Sequence, residues 1–422
     1  MVGMVMMVAQ LGSSGRVPFL SGRIGIDVTM AFHKWAAPAA LILLVAHPIL
    51  LAGPFDATTP SRTLVRLGNL LAAPRLITGL LALALFLLIT LAAILRDRLP
   101  GSYGLWRLSH GILVLAALLF SLKHILAQGT YAADERLRLF WLVLTLGSIL
   151  IWLLRHLTVW RSPPWRVASI TRMADRLWLL QLENQRGLRF RAGQFVWLRF
   201  GRRFSDHPFS IASAPCQRRL AFLIQESGDF TSRIGIVPVG SQVAIDGPHG
   251  SFTLDGLPES DTLILISGGV GLAPIVSILS DVHHRSEYRR IRLVHTARSR
   301  AALVKLEVLQ STCPSAEITI LADDATAADA PVGRGPLTLE HLRKLLTDVE
   351  PSAVNVLICG PSGMMTFAAD ALHAMGVPLD RIRYERFSYG GGPVSVKDCR
   401  ILRGFAGLCV AVMALAFGFA LR

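Results

Sequence analysis

Two pairs of histidines inside apolar segments constrain this chain most: His33 with His47, and His110 with His124. Within each pair the separation is 14 positions. An α-helix turns through about 1400° over that span, within about 40° of whole turns, and climbs about 21 Å. Both members therefore share one face of one helix, towards opposite sides of a hydrocarbon layer about 30 Å thick. Two such helices side by side give two stacked pairs of facing imidazoles. Imidazole is a common axial ligand of haem iron, so the spacing points to two haem b groups, one above the other. A single histidine in an apolar helix is more often a hydrogen-bonded packing residue. The repeated spacing, and the cost of ionisable groups in lipid, favour ligands here. His156, beside Arg155, has no partner at this spacing and reads as interfacial.

The rest of the first 160 residues supports a membrane setting. Apolar runs cover about Trp35 to Gly53, Leu76 to Leu95, Leu108 to Leu126 and Leu139 to Leu154. Each is close to spanning length with its flanks. The chain is 52% hydrophobic, more than a soluble protein of this size carries. One spanning run separates the two histidine segments, so their helices run parallel. His33 and His110 then share one depth, nearer the soluble region, and His47 and His124 the other. Arg96, Arg98, Arg107, Arg155 and Arg161 lie on the soluble-region side, as expected for cytoplasm, although Arg62, Arg66 and Arg75 fall opposite. A further uncharged stretch, Gly404 to Leu421, follows Lys397, Arg400 and Arg403 and reads as a fifth spanning helix. The expected setting is a multi-pass protein of a bacterial inner membrane. No cleavable signal is evident, because residues 1–12 are apolar without a basic start.

Formal charge is +15. The basic residues are dispersed and form no nucleic-acid motif; phosphate-bearing cofactors and lipid head groups account for them. The five cysteines show no CxxC spacing, so neither a disulfide framework nor a zinc site is expected.

From Trp165 the texture changes to short strands, turns and amphipathic helices. Arg166–Ser169, Leu177–Leu182, Phe195–Arg199, Ala221–Gln225 and Gln242–Asp246 alternate as strands of a small antiparallel barrel. Among them stand His207-Pro208-Phe209-Ser210-Ile211-Ala212-Ser213, Gly228-Asp229-Phe230-Thr231 and Gly247-Pro248-His249-Gly250. Thr231 and nearby amides suit an anion at a helix start, though each motif alone is more often a turn. Next, strand Thr262–Ile266 enters the glycine-rich turn Gly268-Gly269-Val270-Gly271, with Pro274 in the first turn of a helix. Strand Val354–Ile358 ends at Cys359-Gly360-Pro361 before another helix. Carboxyl ends of parallel strands are where nucleotides bind.

In this order the motifs resemble those of the ferredoxin–NADP reductase superfamily. With the histidine pairs ahead of them, the chain resembles the ferric reductase and NADPH oxidase transmembrane family over about residues 25–392. The resemblance implies that His207 and Pro208 lie along FAD, with His207 near the pyrophosphate, Phe209 on the isoalloxazine and Ser210 at its reactive edge. It implies that Gly228 and Thr231 hold the diphosphate, with Ser213 in the same site. Gly268, Gly269, Gly271, Pro274, Cys359, Gly360 and Pro361 would hold the nicotinamide nucleotide, and Tyr384-Glu385-Arg386-Phe387 would bring Phe387 over the flavin. Ser210, Cys359 and Phe387 are the expected catalytic group. Arg298 and Arg300, after strand Ile291–Thr296, suit the 2′-phosphate of NADPH, with NADH possible. In one departure, the family has two more helices before the first histidine helix, whereas residues 1–12 are too short to span.

The expected architecture is an α-helical bis-haem membrane bundle (1–160), an antiparallel β-barrel FAD domain (161–258), an α/β parallel-sheet NAD(P) domain (259–392), and a basic linker with a C-terminal helix (393–422). The expected activity carries electrons from NAD(P)H through FAD and two haems to a small-molecule acceptor, oxygen or a ferric chelate. A membrane-anchored reductase without haem, or an adaptor with a decayed reductase region, are the alternatives. The sequence leaves the oligomeric state open.

Overall fold

The computed structural model describes residues 2–13, 25–53, 60–98, 103–128, 133–161, 163–201, 206–285, 290–386 and 395–420. The chain divides into two compact units. One comprises Met1–Val17, Thr29–Arg161 and Leu402–Arg422; the other comprises Pro18–Val28 and Ser162–Ile401.

The first unit is helical: α1 (Val2–Gly12), α2 (Ile26–Leu51), α3 (Pro60–Ala72), α4 (Ile77–Ile94), α5 (Tyr103–Gln128) and α6 (Glu135–Arg161). Among the described residues, four stretches are long and apolar enough to cross a membrane: Val28–Leu51, Pro74–Ile94, Gly104–Gln128 and Glu135–Leu154. They match the four expected runs, each somewhat extended. A helix satisfies its own backbone groups, which lipid cannot do, so long apolar runs settle as helices. Their large side chains point outward: Ile94 is 68% and Ile151 70% exposed. In water that would be costly; against acyl chains it is not. A single spanning stretch separates α2 from α5, the count on which their parallel course depends.

Two helices were not expected. α1 is too short to span, yet Met4, Met7 and Val8 are buried in the core with Ala40, Phe86, Leu118, Leu122 and Trp141. α3 is amphipathic, with Leu64 and Val65 exposed between Arg62 and Arg66. α11 (Val396–Ala420) begins in the second unit and ends in the first.

The second unit holds two sheets. Strands β1 (Trp165–Ala174), β2 (Leu177–Glu183), β3 (Phe195–Phe200), β4 (His207–Ser210), β5 (Leu220–Gln225) and β6 (Gln242–His249) pair antiparallel in the order β4-β3-β6-β1-β2-β5. The expected barrel is not closed. Its edge strands β4 and β5 meet only through an isolated bridge between Ile211 and Phe222. With only four residues, β4 gives too short a ladder to seal the sheet. Register shifts in β1 and β3 curl it without completing the circle.

The second sheet comprises β7 (Thr262–Gly268), β8 (Arg290–Ala297), β9 (Glu317–Ala322), β10 (Gly333–Arg334), β11 (Asn355–Cys359) and β12 (Ile382–Tyr384). It is parallel throughout, in the order β10-β9-β8-β7-β11-β12. It thus has three strands beyond those read from the sequence. Helices α7 (Leu272–His284), α8 (Leu306–Thr312), α9 (Leu339–Leu345) and α10 (Ser362–Ala374) complete it. Every residue of β7 is buried, as a central parallel strand covered on both faces requires.

Each sheet has a core of its own, around Leu180, Leu198 and Phe222 in the first and Ile264, Val356 and Leu372 in the second, and a third apolar cluster joins the two. Leu177, Ala212, Leu223 and Phe252 pack in the same cluster as Leu263, Leu265, Ile275, Ile278 and Leu279. Ser277 of α7 is buried in that seam: its Oγ donates to the Ser213 carbonyl at 2.7 Å and accepts the Gly193 amide at 3.4 Å. Gly193 is obligatory there, because φ is +92° and a Cβ would fall 1.9 Å from the Phe252 carbonyl oxygen.

Candidate electron-transfer sites

In the helical unit the structure places His33 and His47 in α2, and His110 and His124 in α5. Nδ1 of His33 is 3.4 Å from Ser13 Oγ, just beyond α1. A hydrogen bond at one ring nitrogen fixes the imidazole and leaves the other for a ligand role. The His110 ring stacks on Trp106, centroids 5.1 Å apart, and the Arg96 guanidinium lies over Trp106 at 5.6 Å. Nδ1 of His124 is buried with no hydrogen-bond partner among the described residues. Its ring lies against Gly79 of α4: a Cβ there would be 2.8 Å from both Nδ1 and Cε1. Ser13, Trp106 and Gly79 were missed in the sequence, where none carries a signal linking it to a histidine. Among the described residues no three or more His, Cys, Asp or Glu side chains gather.

In the reductase unit β7 and β11 are neighbours, with Cys359 opposite Ser267. Their following loops therefore emerge side by side at the carboxyl edge, where nucleotides bind. The glycines there interlock. A Cβ at Gly271 would lie 2.3 Å from the Cys359 carbonyl oxygen, and one at Gly268 2.8 Å from Pro361 Cδ and Met364 Sδ. At Gly360 it would lie 2.6 Å from Met364 Cε. These three glycines are thus required first by loop-to-loop contact. Gly269 differs: its φ is +54° and its surroundings are open to 3.8 Å. Pro274 is buried in the first turn of α7, and Pro361 sits exposed just before α10.

Cys359 is buried, and its thiol is pushed up to about 12, first by burial and then by the nearby Glu385 carboxylate. It stays a neutral thiol at ordinary pH. Glu385 is 1% exposed, and its Oε1 accepts the Ile26 amide at 3.3 Å. Gly250, at φ +95°, would carry a Cβ 2.7 Å from Glu385 Oε2. Cys359, Glu385 and Gly250 thus meet, although the sequence singled out Glu385 only as part of the element ending in Phe387. Phe387 lies outside the described residues.

On the first sheet, β4 puts Phe209 opposite Val196 and Ser210 opposite Phe195. Phe209 and Ser210 are half-buried and Pro208 is exposed. His207 stacks on Phe230, centroids 4.3 Å apart and planes at 7°. Burial lowers its pKa against the opposing pull of Asp206, so the ring is neutral at pH 7. Its Nε2 is buried and without a partner among the described residues. Thr231 and Gly228 form a turn in which Thr231 Oγ1 accepts the Ser227 and Gly228 amides at 2.9 and 3.0 Å. Ser213 is 2% exposed and its Oγ accepts the Ala221 amide at 3.1 Å, a role in the scaffold.

Arg300 is engaged by Asp329, and its amide donates to Asp324 Oδ1 at 2.8 Å. Arg298 is exposed and in no ion pair among the described residues.

Three family models match the chain. Residues 1–121 match the ferric reductase like transmembrane component, residues 164–253 an FAD-binding domain, and residues 265–370 the oxidoreductase NAD-binding domain. A similar curated protein is the propane 2-monooxygenase reductase component of Mycolicibacterium goodii, 33% identical over 47% of this chain and 59% of its own length. Dual oxidase 2 of Rattus norvegicus is 27% identical over 64% of this chain and 19% of its own length. The chain thus spans about three-fifths of the former and a fifth of the latter. A solved ferredoxin NADP+ reductase from Neisseria gonorrhoeae, with bound FAD and NADP, aligns over 53% of this chain and 97% of its own, at TM-score 0.47 and 20% identity.

Proposed function

We propose that this chain, which joins a ferric reductase-like transmembrane component to reductase-type FAD- and NAD-binding domains and has NADPH oxidase-like relatives, carries electrons from NAD(P)H through FAD and two haems to a small-molecule acceptor across the membrane. The observation that carries the haem reading is the placement of His33 and His47 on α2 and of His110 and His124 on α5, each pair 14 residues apart in one helix. The surroundings fit such groups. Ser13 orients His33, Trp106 orients His110, and Gly79 leaves room for a His124 ring whose buried Nδ1 is otherwise unpartnered. For FAD, the unpartnered Nε2 of neutral His207 suits donation to a phosphate oxygen.

When bound, FAD takes up a hydride and returns electrons singly, and haem relays them one at a time. The chain's own part is placement and exclusion. Gly269 leaves room for a dinucleotide phosphate at the edge of the parallel sheet. Cys359, kept neutral, sits where an anionic sulfur would repel the incoming nicotinamide nucleotide. Phe209 offers an aromatic face to the flavin, and Ser210 a hydroxyl at its edge. Glu385, beside Cys359, is placed to hold or pass a proton. His33, His110, His47 and His124 would hold the haems, which would supply one-electron reduction of oxygen or an iron chelate.

A reduced-minus-oxidised spectrum of the purified chain tests this, followed by acceptor screening under controlled oxygen. Haem b and flavin bands are expected, with two haems for each FAD. Flavin without haem would mean a membrane-anchored reductase; neither chromophore would mean an adaptor.

The nucleotide preference rests on Arg298. With Arg300 held by Asp329, Arg298 is the guanidinium available for a 2′-phosphate. Arg298→Ala is expected to lower kcat/KM for NADPH about tenfold and to leave NADH nearly unchanged, the loss of one charge-assisted contact. Equal losses for both, or a native preference for NADH, would remove this assignment without touching the electron path.

A further inference from the structure

The C-terminal helix α11 belongs to none of the matched domains, yet its first turn is bolted into the reductase unit. Ser395-Val396-Lys397-Asp398 forms a capping box: the Asp398 amide donates to Ser395 Oγ at 3.1 Å, and the Ser395 amide to Asp398 Oδ2 at 3.0 Å. The same carboxylate takes two further donors from the end of β12. Tyr384 Oη donates to Oδ1 at 2.9 Å and Arg386 Nη2 to Oδ2 at 2.7 Å, while Tyr384 also meets Ser395 Oγ. Arg386 Nη2 reaches Thr366 of α10 at 2.8 Å, Lys397 Nζ reaches the Ile382 carbonyl at 2.6 Å, and the Val396 amide reaches Asp370 at 3.0 Å. Such a network fixes the direction in which the helix leaves the sheet.

Beyond this clamp the chemistry changes. Arg400 and Arg403 are exposed. Gly404 to Leu421 carries no charge, and Leu408, Val410 and Leu415 are 53%, 60% and 75% exposed. Leu402–Arg422 groups with the four spanning-length helices and not with the reductase unit. The helical part from Gly404 to Ala420 is seventeen residues and reaches about 25 Å, close to a hydrocarbon core of about 30 Å. We propose that α11 is a second membrane attachment. Its apolar part crosses the bilayer, Arg400 and Arg403 sit among anionic head groups, and its first turn stays clamped to the end of strand β12. The reductase unit is then tied to the membrane at both ends, through α6 and through α11. The proposal rests on the membrane reading of the other four helices and is independent of haem.

Sealed vesicles of the full chain with an epitope after Arg422 test it. In vesicles where added NAD(P)H reduces the flavin without detergent, external protease should digest the reductase unit and spare the epitope. Loss of the epitope in those same vesicles would overturn the proposal. Leu408→Asp with Leu415→Asp should expose the epitope, and continued protection would also count against lipid insertion by these residues. Release of the whole chain by carbonate would instead sink the membrane reading of the other helices, and the proposal with it. For the clamp, Asp398→Ala should speed amide exchange over residues 396–400 about tenfold in the full chain, the usual scale of a lost helix cap, with β7 unchanged. Unaltered exchange there would refute the clamp.

Discussion

Replacing His124 by Ala is expected to halve the haem content of the purified chain, from two haems per FAD towards one. On the proposed ligand assignment His124 would help to hold one haem and its loss would weaken that site, whereas His33 and His110 would still hold the other. His47→Ala should do the same. Electron delivery to an external acceptor should fail in both variants, while NAD(P)H still bleaches the flavin at close to the native rate. Gly79→Leu offers a check that leaves every histidine in place. Its side chain would start 2.8 Å from the His124 ring, so the imidazole must turn away. The same haem should be lost, with the other retained. Haem-to-flavin ratios by pyridine haemochrome and flavin absorbance decide the matter. Two haems persisting in both histidine variants would mean that the ligands lie elsewhere.

Gly271→Ala should disable hydride uptake with the haems and flavin still bound. One methyl group there meets the Cys359 carbonyl oxygen at 2.3 Å, and backbone cannot move aside as a side chain can. Overpacking of this kind costs about 1–3 kcal/mol or more, and here the strain falls on the two loops that would grip the nucleotide. A fall of about 100-fold in kcat/KM for NAD(P)H is expected, equivalent to about 2.7 kcal/mol. Gly363→Ala, on the neighbouring α10 with open space around it, is the matched control and should be nearly silent. Stopped-flow flavin reduction reads both. If Gly271→Ala reduces flavin as fast as Gly363→Ala, the loops do not carry the nucleotide.

Where the chemistry of one residue type repeats along the chain, the sequence was informative. The 14-residue spacing put His33, His47, His110 and His124 on two helices because helical periodicity is set locally. The apolar runs and the order of the two sheets followed from patterns of similar range. What the sequence hid arises between distant segments. That β4 fails to close the first sheet depends on how few residues pair at its edge, not on alternation. The part played by Gly79 depends on which face of α4 meets α5, and the bond from Ser13 to His33 on where α1 packs. Glu385 was legible as a residue but not as a neighbour of Cys359, because β12 and β11 come together only in the finished sheet. Arg300 looked as eligible as Arg298 until Asp329 was found against it.

The apolar cluster that joins the two sheets of the reductase unit bears on how this region is made and kept. Leu223 and Phe252 fall in one buried cluster with Ile275 and Ile278, so each sheet covers part of its apolar surface with the other, although Val167, Leu180, Leu198 and Phe222 form a core within the first sheet alone. The boundary drawn between two cofactor-binding regions therefore runs through a buried seam. Residues 162–401 should melt in one cooperative transition, and a fragment stopped near residue 258 should expose Leu177, Leu223 and Phe252 at that seam and aggregate. Recombining such reductases would work only by exchanging the pair as a block. A lesion in either half should lower the cellular abundance of both.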